Sequence, residues 1–196
     1  MEGISGLSKV CPHFHLSLQS GCQKTLENMN RRYTAEEYAQ KCSLIREYYP
    51  APALTTDVIV GFPMESEADF EGIFEFVKKH FIFMRTHIFK YSRRQGTKAA
   101  AMEGQITEAV KAARSEKMLE LNRQRSLEYE ESMIGKNLEI LLEEEVELQG
   151  KAYYLGHSRE YVKVAVEKTE SLKVNDLLTV KITGFTEEHI LGGELV

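Results

Sequence analysis

Three short apolar runs, His13 to Leu18, Leu54 to Val60 and Phe83 to Phe89, are separated by stretches whose apolar residues recur at helical spacing. This alternation constrains the fold more than any other feature. In the first run His13, His15 and Ser17 fall on one face and Phe14, Leu16 and Leu18 on the other, the period of a strand. Leu54 to Val60 is β-branched and nearly continuous, as expected of a strand buried on both faces. Between these runs a short helical stretch passes through Leu26 and Met29. Thr34 then opens a longer helix as N-cap, with Glu37 three residues on completing a capping box. Its stripe, Tyr38, Cys42, Ile45 and Tyr49, steps by 4, 3 and 4 residues before Pro50 and Pro52 end it. Ser66, with Asp69 three residues on, opens a helix carrying Phe70, Ile73, Phe74 and Val77. Strand, helix, strand, helix, strand is the order of parallel α/β architecture. Three such strands cannot close a barrel, so a bare strand edge is expected on each side. Either the sheet is small and open, or further residues precede Met1.

From Thr107 to Ile134 the chain is rich in Ala, Glu, Lys, Arg and Leu without Pro or Gly, and Gly135 follows where a helix would stop. The remaining residues change character. Leu138 to Leu142, Lys151 to Leu155, Tyr161 to Val166, Leu178 to Thr183 and Ile190 to Val196 read as short strands, the pattern of a small closed barrel of the oligonucleotide-binding kind. The expected division is residues 1–106 as the α/β part, 107–134 as a long linking helix and 135–196 as the small all-β barrel.

Length and composition exclude several classes. Of 196 residues 42% are hydrophobic, enough for a core, yet no apolar run reaches the roughly 18 residues of a membrane span. Three cysteines at spacings of 11 and 20 do not form a disulfide framework, and a reducing cytoplasm is the expected location. They match neither a zinc nor an iron–sulfur spacing either. Cys42, on an apolar helix stripe, reads as a small core residue, and nothing in sequence places a base beside Cys22. His13 and His15 could face a common centre, but without a carboxylate at ligand spacing they read as packing residues.

The net charge of −5 is unevenly spread. Residues 136–196 hold 7 basic and 12 acidic groups, whereas Phe76 to Met102 contains seven Lys and Arg and no acid. That local positive field suits a specific anionic contact or a solvated basic face. Arg114, Lys117, Arg123 and Arg125 alternate with Glu116, Glu120 and Glu128, which reads as an ordinary solvated helix face. Ligands of parallel α/β folds gather at the carboxyl ends of the strands. Here those ends are Gln19-Ser20-Gly21, Gly61 to Glu65, and Tyr91 to Thr97 with Arg93 and Arg94, able to grip a carboxylate or phosphate.

The segments HLSLQSGCQKTLENMNRRYTAEEY (His15 to Tyr38), TDVIVGFPMESEADF (Thr56 to Phe70) and FKYSRRQGTKAAAM (Phe89 to Met102) resemble the radical S-adenosylmethionine methylthiotransferases in order and spacing. The tail from about Met133 resembles their TRAM domain. The resemblance implies the C-terminal half of a partial (β/α) barrel, the linking helix and an OB-like TRAM barrel. It also implies an enzyme that replaces C–H by C–SCH3 at position 2 of adenosine 37 in tRNA, with S-adenosylmethionine and two [4Fe-4S] clusters as cofactors. His15 to Cys22 is most similar to the branch acting on threonylcarbamoyladenosine. By this resemblance Ser17 and Gln19 lie on the S-adenosylmethionine side, and Gly61 and Phe62 let its adenine lie against the backbone. Arg93 and Arg94 then face substrate or the cofactor carboxylate, and the barrel holds tRNA.

The chain departs from the family in lacking C-x-x-x-C-x-x-C and the separate N-terminal cluster domain, and in carrying Met64 and Ser66 where the family has Gly and Thr. No cluster ligand is expected within it, so it is expected to need a missing N-terminal half and to be inactive alone. Two other readings stay open: a non-catalytic RNA-binding module, and a phosphate-binding half-barrel of unrelated chemistry.

Overall fold

The computed structural model describes residues 2–80 and 84–196. After a short α1 (Glu2–Ser5) come β1 (His13–His15), α2 (Gln23–Asn28), α3 (Ala35–Tyr48), β2 (Ala53–Val60), α4 (Glu67–His80) and β3 (Arg85–Lys90). Phe83, the expected start of the third strand, lies outside the described residues. β1, β2 and β3 form a parallel sheet in that order, with His15 opposite Thr55 and Asp57 opposite His87. The capping box at Thr34 forms in both directions: Glu37 N–H donates to Thr34 Oγ1 at 3.0 Å, and Thr34 N–H to Glu37 Oε2 at 2.8 Å. Ser66 and Asp69 make the same reciprocal pair at the start of α4, an aspartate serving where a glutamate is usual. Tyr38, Cys42 and Ile45 of α3 and Phe70, Ile73 and Val77 of α4 bury against Leu54, Val58 and Val60 on one face of β2.

A short α5 (Lys98–Ala101) leads to α6 (Glu108–Glu131), whose 24 residues extend about 36 Å. Met118 and Leu121 close the core over the sheet. The β3 edge, expected bare, is covered by this helix: Thr86 N–H donates to Asn122 Oδ1 at 2.6 Å, and Ser126 Oγ to Met84 O at 2.7 Å. Two side chains thereby satisfy main-chain groups that the sheet leaves unpaired.

Gly135, with φ +84°, turns the chain out of α6 into β4 (Asn137–Leu148), β5 (Lys151–Ser158), β6 (Lys163–Glu167), β7 (Leu177–Glu187) and β8 (Ile190–Leu195). These close a barrel in the order β4-β5-β6-β8-β7. β4 runs past Leu142 through Glu143, Glu144 and Glu145, with a register shift between Leu142 and Glu144. The strand, expected to end at Leu142, is carried on through the acidic triplet by a bulge. The barrel core, including Ile140, Val164, Ile182 and Leu191, is continuous with Ala53, Met84, Tyr129 and Met133. The barrel therefore packs beneath the amino ends of β2 and β3, opposite their carboxyl ends. Tyr161, at φ +64°, stacks between His13 (4.8 Å) and His157 (4.6 Å) across this junction. Among the described residues no helix is long and apolar enough to cross a membrane.

Candidate functional site

Because the three strands are parallel, their carboxyl ends share one side of the molecule. There a cavity of about 610 Å³ opens between the end of α2, the ends of β2 and β3, and the loop into α5. Phe62, Tyr91, Ile59 and Phe89 supply its apolar lining, and Arg31, Lys90, Arg94 and Lys98 its cations. Among the described residues no acidic one lines it. A concave site with aromatic walls and only positive charge suits a flat ligand bearing an anionic group. Phe62 is buried and meets Tyr91 edge to face at 5.1 Å. The Tyr91 hydroxyl is itself buried with no hydrogen-bond partner among the described residues.

The β2 loop behind Phe62 is held by buried charge. Gly61 N–H donates to Glu65 Oε1 at 2.8 Å, and Arg114 Nη1 donates to the same oxygen at 2.8 Å. Arg114 Nη2 reaches Glu67 at 3.0 Å. Burial pushes the Glu65 carboxyl above the usual range, against the opposing pull of the Gly61 N–H and the guanidinium. Lys111 is also buried, and its stem fills the space where a side chain at residue 61 would stand.

The residues singled out in the sequence are therefore only partly brought together. Phe62 and Arg94 line the cavity. Arg93 does not join them: its Nε donates to Ala100 O at 2.9 Å, and it borders a separate hollow with Gln95 and Lys98. Gly61 has φ +73°, and its missing side chain makes room for Lys111 rather than opening the backbone to a ligand. Gln19, at φ +66°, is buried and extends the sheet through its main chain, accepting from Ile59 N–H and donating to Asp57 O, both at 2.8 Å. Ser17 Oγ donates to Asp57 Oδ2 at 3.0 Å on the sheet face turned away from the helices. Met64, at φ +66°, leans on Gly104 and is not among the cavity-lining residues.

Two expectations are corrected outright. Arg114 is not on a solvated face but paired and buried against α4's entry loop, because that turn of α6 faces the sheet. His13 packs as the sequence suggests, stacked on Tyr161 at 4.8 Å, but its neighbour His15 departs from that expectation. His15 has a carboxylate beside it after all: Asp57 of β2 at 3.2 Å, with His87 of β3 also close. Strand pairing, invisible to spacing along the chain, brings them together. The one sequence signal was Asp57 itself, a lone charge inside a β-branched run.

An iron–sulfur cluster needs several thiolates converging on one point. Cys11 is exposed before β1, Cys22 caps α2 with its thiol 3.6 Å from Asp69 Oδ1, and Cys42 is buried in α3. Burial raises the Cys42 thiol to about 11. The three thiols lie on different segments, one exposed, one half-buried and one buried, and their spacings of 11 and 20 match no cluster motif, so these residues do not fit a cluster.

The Radical SAM superfamily family model matches residues 3–77. The threonylcarbamoyladenosine tRNA methylthiotransferase MtaB of Bacillus subtilis (strain 168) is 36% identical over 183 residues, covering 93% of this chain and 40% of that protein. The tRNA-2-methylthio-N(6)-dimethylallyladenosine synthase of Thermodesulfovibrio yellowstonii is 38% identical over 196 residues, all of this chain and 44% of its own length. That of Moorella thermoacetica is 44% identical over 140 residues, 71% of this chain and 31% of its own. The chain thus spans about two fifths of the first two relatives' length. On these matches, the chain is similar over most or all of its length to tRNA methylthiotransferases, and the part before residue 78 matches the Radical SAM superfamily.

Proposed function

We propose that this chain supplies the S-adenosylmethionine cavity and the small barrel of an enzyme that methylthiolates position 2 of an N6-modified adenosine in tRNA. The observation that carries this reading is the cavity at the strand ends, where Phe62 and Tyr91 form an aromatic wall beside Arg31, Lys90, Arg94 and Lys98. Phe62 and Tyr91 would hold the adenine, and Arg94 or Lys98 the amino-acid carboxylate, while the loop locked by Glu65 and Arg114 keeps the wall in place. S-adenosylmethionine, activated at an iron–sulfur cluster, supplies the radical chemistry, and this chain's residues bind and orient it. The TRAM-like reading of residues 135–196 is supported by their closed five-stranded architecture, and the tRNA-binding role by family resemblance. A tRNA touching both barrel and cavity would have to extend along α6. Threonylcarbamoyladenosine is the finer substrate reading, supported by the Gln19-Ser20-Gly21-Cys22 motif and by the name of the Bacillus relative.

Calorimetry of the chain with S-adenosylmethionine tests the reading. Binding by the wild type, lost in Phe62→Ala and at least tenfold weaker in Arg94→Glu, is expected. Binding that neither substitution changes would remove the assignment. Anaerobic reconstitution with iron and sulfide is expected to give no cluster and no S-adenosylmethionine cleavage by the chain alone. With a partner supplying thiolates, nucleoside mass spectrometry of tRNA bearing threonylcarbamoyl- or dimethylallyl-adenosine decides the substrate. The unlike settings of Cys11, Cys22 and Cys42, exposed, half-buried and buried, favour a second reading, a non-catalytic RNA-binding module. In that case the chain binds tRNA but not S-adenosylmethionine.

A further inference from the structure

Parallel sheets are ordinarily covered on both faces, yet the face opposite α3 and α4 carries His15, Ser17, Asp57 and His87 in one neighbourhood. The ligating atoms of His15, Asp57 and His87 all lie within 4.8 Å of one another. They come from three adjacent strands, fixed by the pairing of His15 with Thr55 and of Asp57 with His87. Each is also aimed. His15 Nδ1 is hydrogen-bonded to Thr55 Oγ1 at 3.0 Å, which directs Nε2 toward Asp57 Oδ2, 3.2 Å away. Ser17 Oγ donates to the same carboxylate oxygen at 3.0 Å. The His87 ring stands 6.0 Å from that of His15, tilted by 47°.

We infer that His15, Asp57 and His87 form a site for one divalent first-row transition-metal ion. Two imidazoles and one carboxylate on one side of an ion, with the other positions open, are a recurrent donor set for zinc, iron(II) and cobalt(II). Two ligands each about 2.1 Å from an ion at a tetrahedral angle are roughly 3.4 Å apart. The 3.2 Å between His15 and Asp57 is already close to that value. For an ion to bind, the separations that involve His87, all within 4.8 Å, would have to contract. Thr55 and Ser17 play the supporting part that outer hydrogen bonds play around bound metals, fixing ring and carboxylate orientation. Imidazole donors select against magnesium and calcium, which prefer oxygen alone. Asp57 lies two residues before Ile59, and His87 two before Phe89, both cavity-lining, so the ion would sit one layer below the cavity. It is distinct from any thiolate-bound cluster and does not depend on the proposed transferase activity, since uptake is read without S-adenosylmethionine or tRNA.

The test strips the intact chain with a chelator and titrates it with Co²⁺, read by visible absorption, and with Zn²⁺, read by calorimetry. One equivalent per chain is expected, unaffected by excess Mg²⁺. Asp57→Asn, isosteric and with a hydrogen-bonding oxygen retained, and His87→Gln should each weaken binding at least tenfold. Thr55→Val keeps all three ligands and should weaken it about tenfold. His13→Ala and Cys11→Ser should bind as the wild type does. Circular dichroism of the metal-free variants separates lost ligands from lost fold, and if His87→Gln does not fold, Asp57→Asn decides. Substoichiometric uptake, equal affinity in Asp57→Asn, or loss of binding in Cys11→Ser instead would overturn the site.

Discussion

Gly61 and Arg114 show how single residues hold the cavity wall. At φ +73° a side chain is strained, and at Gly61 it would also overlap the Lys111 stem. Gly61→Ala should therefore lower stability by about 2 kcal/mol in urea denaturation. In a Lys111→Ala background the loss should shrink toward the backbone part alone, because the overlap is gone. Arg114→Met should cost more, about 3–5 kcal/mol, since it leaves the Glu65 carboxylate buried without its partner. The pH dependence follows from the raised Glu65 pKa. A buried carboxyl with a raised pKa holds its proton in the folded chain at a pH where the unfolded chain has released it, so it favours folding less as pH rises. Arg114→Met raises that pKa further, so its stability deficit should be larger at neutral pH and smaller as pH falls toward the carboxyl range. A deficit that stays constant with pH would show that Glu65 is not the group left uncompensated. The Gly61-to-Glu65 turn was legible in sequence, but Arg114 was not, because alternating charge on a helix looks the same on a solvated face and a buried one.

At the scale of elements, α6 is the member that repays attention. Its buried positions include Lys111, Arg114, Met118, Leu121, Ser126 and Tyr129, a stripe of helical spacing but mixed polarity. Hydrophobic periodicity alone could not find that face, although the helix itself was clear from composition and its Gly135 stop. The mixed stripe exists because α6 does two jobs, burying Met118 and Leu121 while lending Asn122 and Ser126 to the edge of β3. Asn122→Leu removes the acceptor for Thr86 N–H and should cost about 1–3 kcal/mol. Hydrogen exchange should show the Thr86 amide losing protection, and the exposed strand edge should raise the tendency to aggregate. Unchanged exchange at Thr86 would mean that water or another group satisfies the edge.

Across the whole molecule, α6 delivers the barrel to the amino ends of the strands, the cavity lies at their carboxyl ends, and His15, Asp57 and His87 lie between the two. Met133, fully buried, sits where the barrel core meets Ala53 and Met84. Met133→Ala should cost about 2–5 kcal/mol and lower one shared thermal transition. Two separate transitions in the wild type would show that the sheet and barrel are not cooperatively joined. The sequence by itself determined the three sheet strands, the longer helices, two of the capped helix starts and the five strand runs of the barrel, though not the short α1 and α5 or the full length of β4. Those features rest on interactions between residues a few positions apart, and such interactions leave a period or a spacing in the chain. Only the tertiary structure decided that Arg94 reaches the cavity while Arg93 does not, that Arg114 is buried, and that His15, Asp57 and His87 meet. Each of those depends on strand register or on the rotation of a packed helix, set by contacts dozens of residues apart for which local pattern carries no signature.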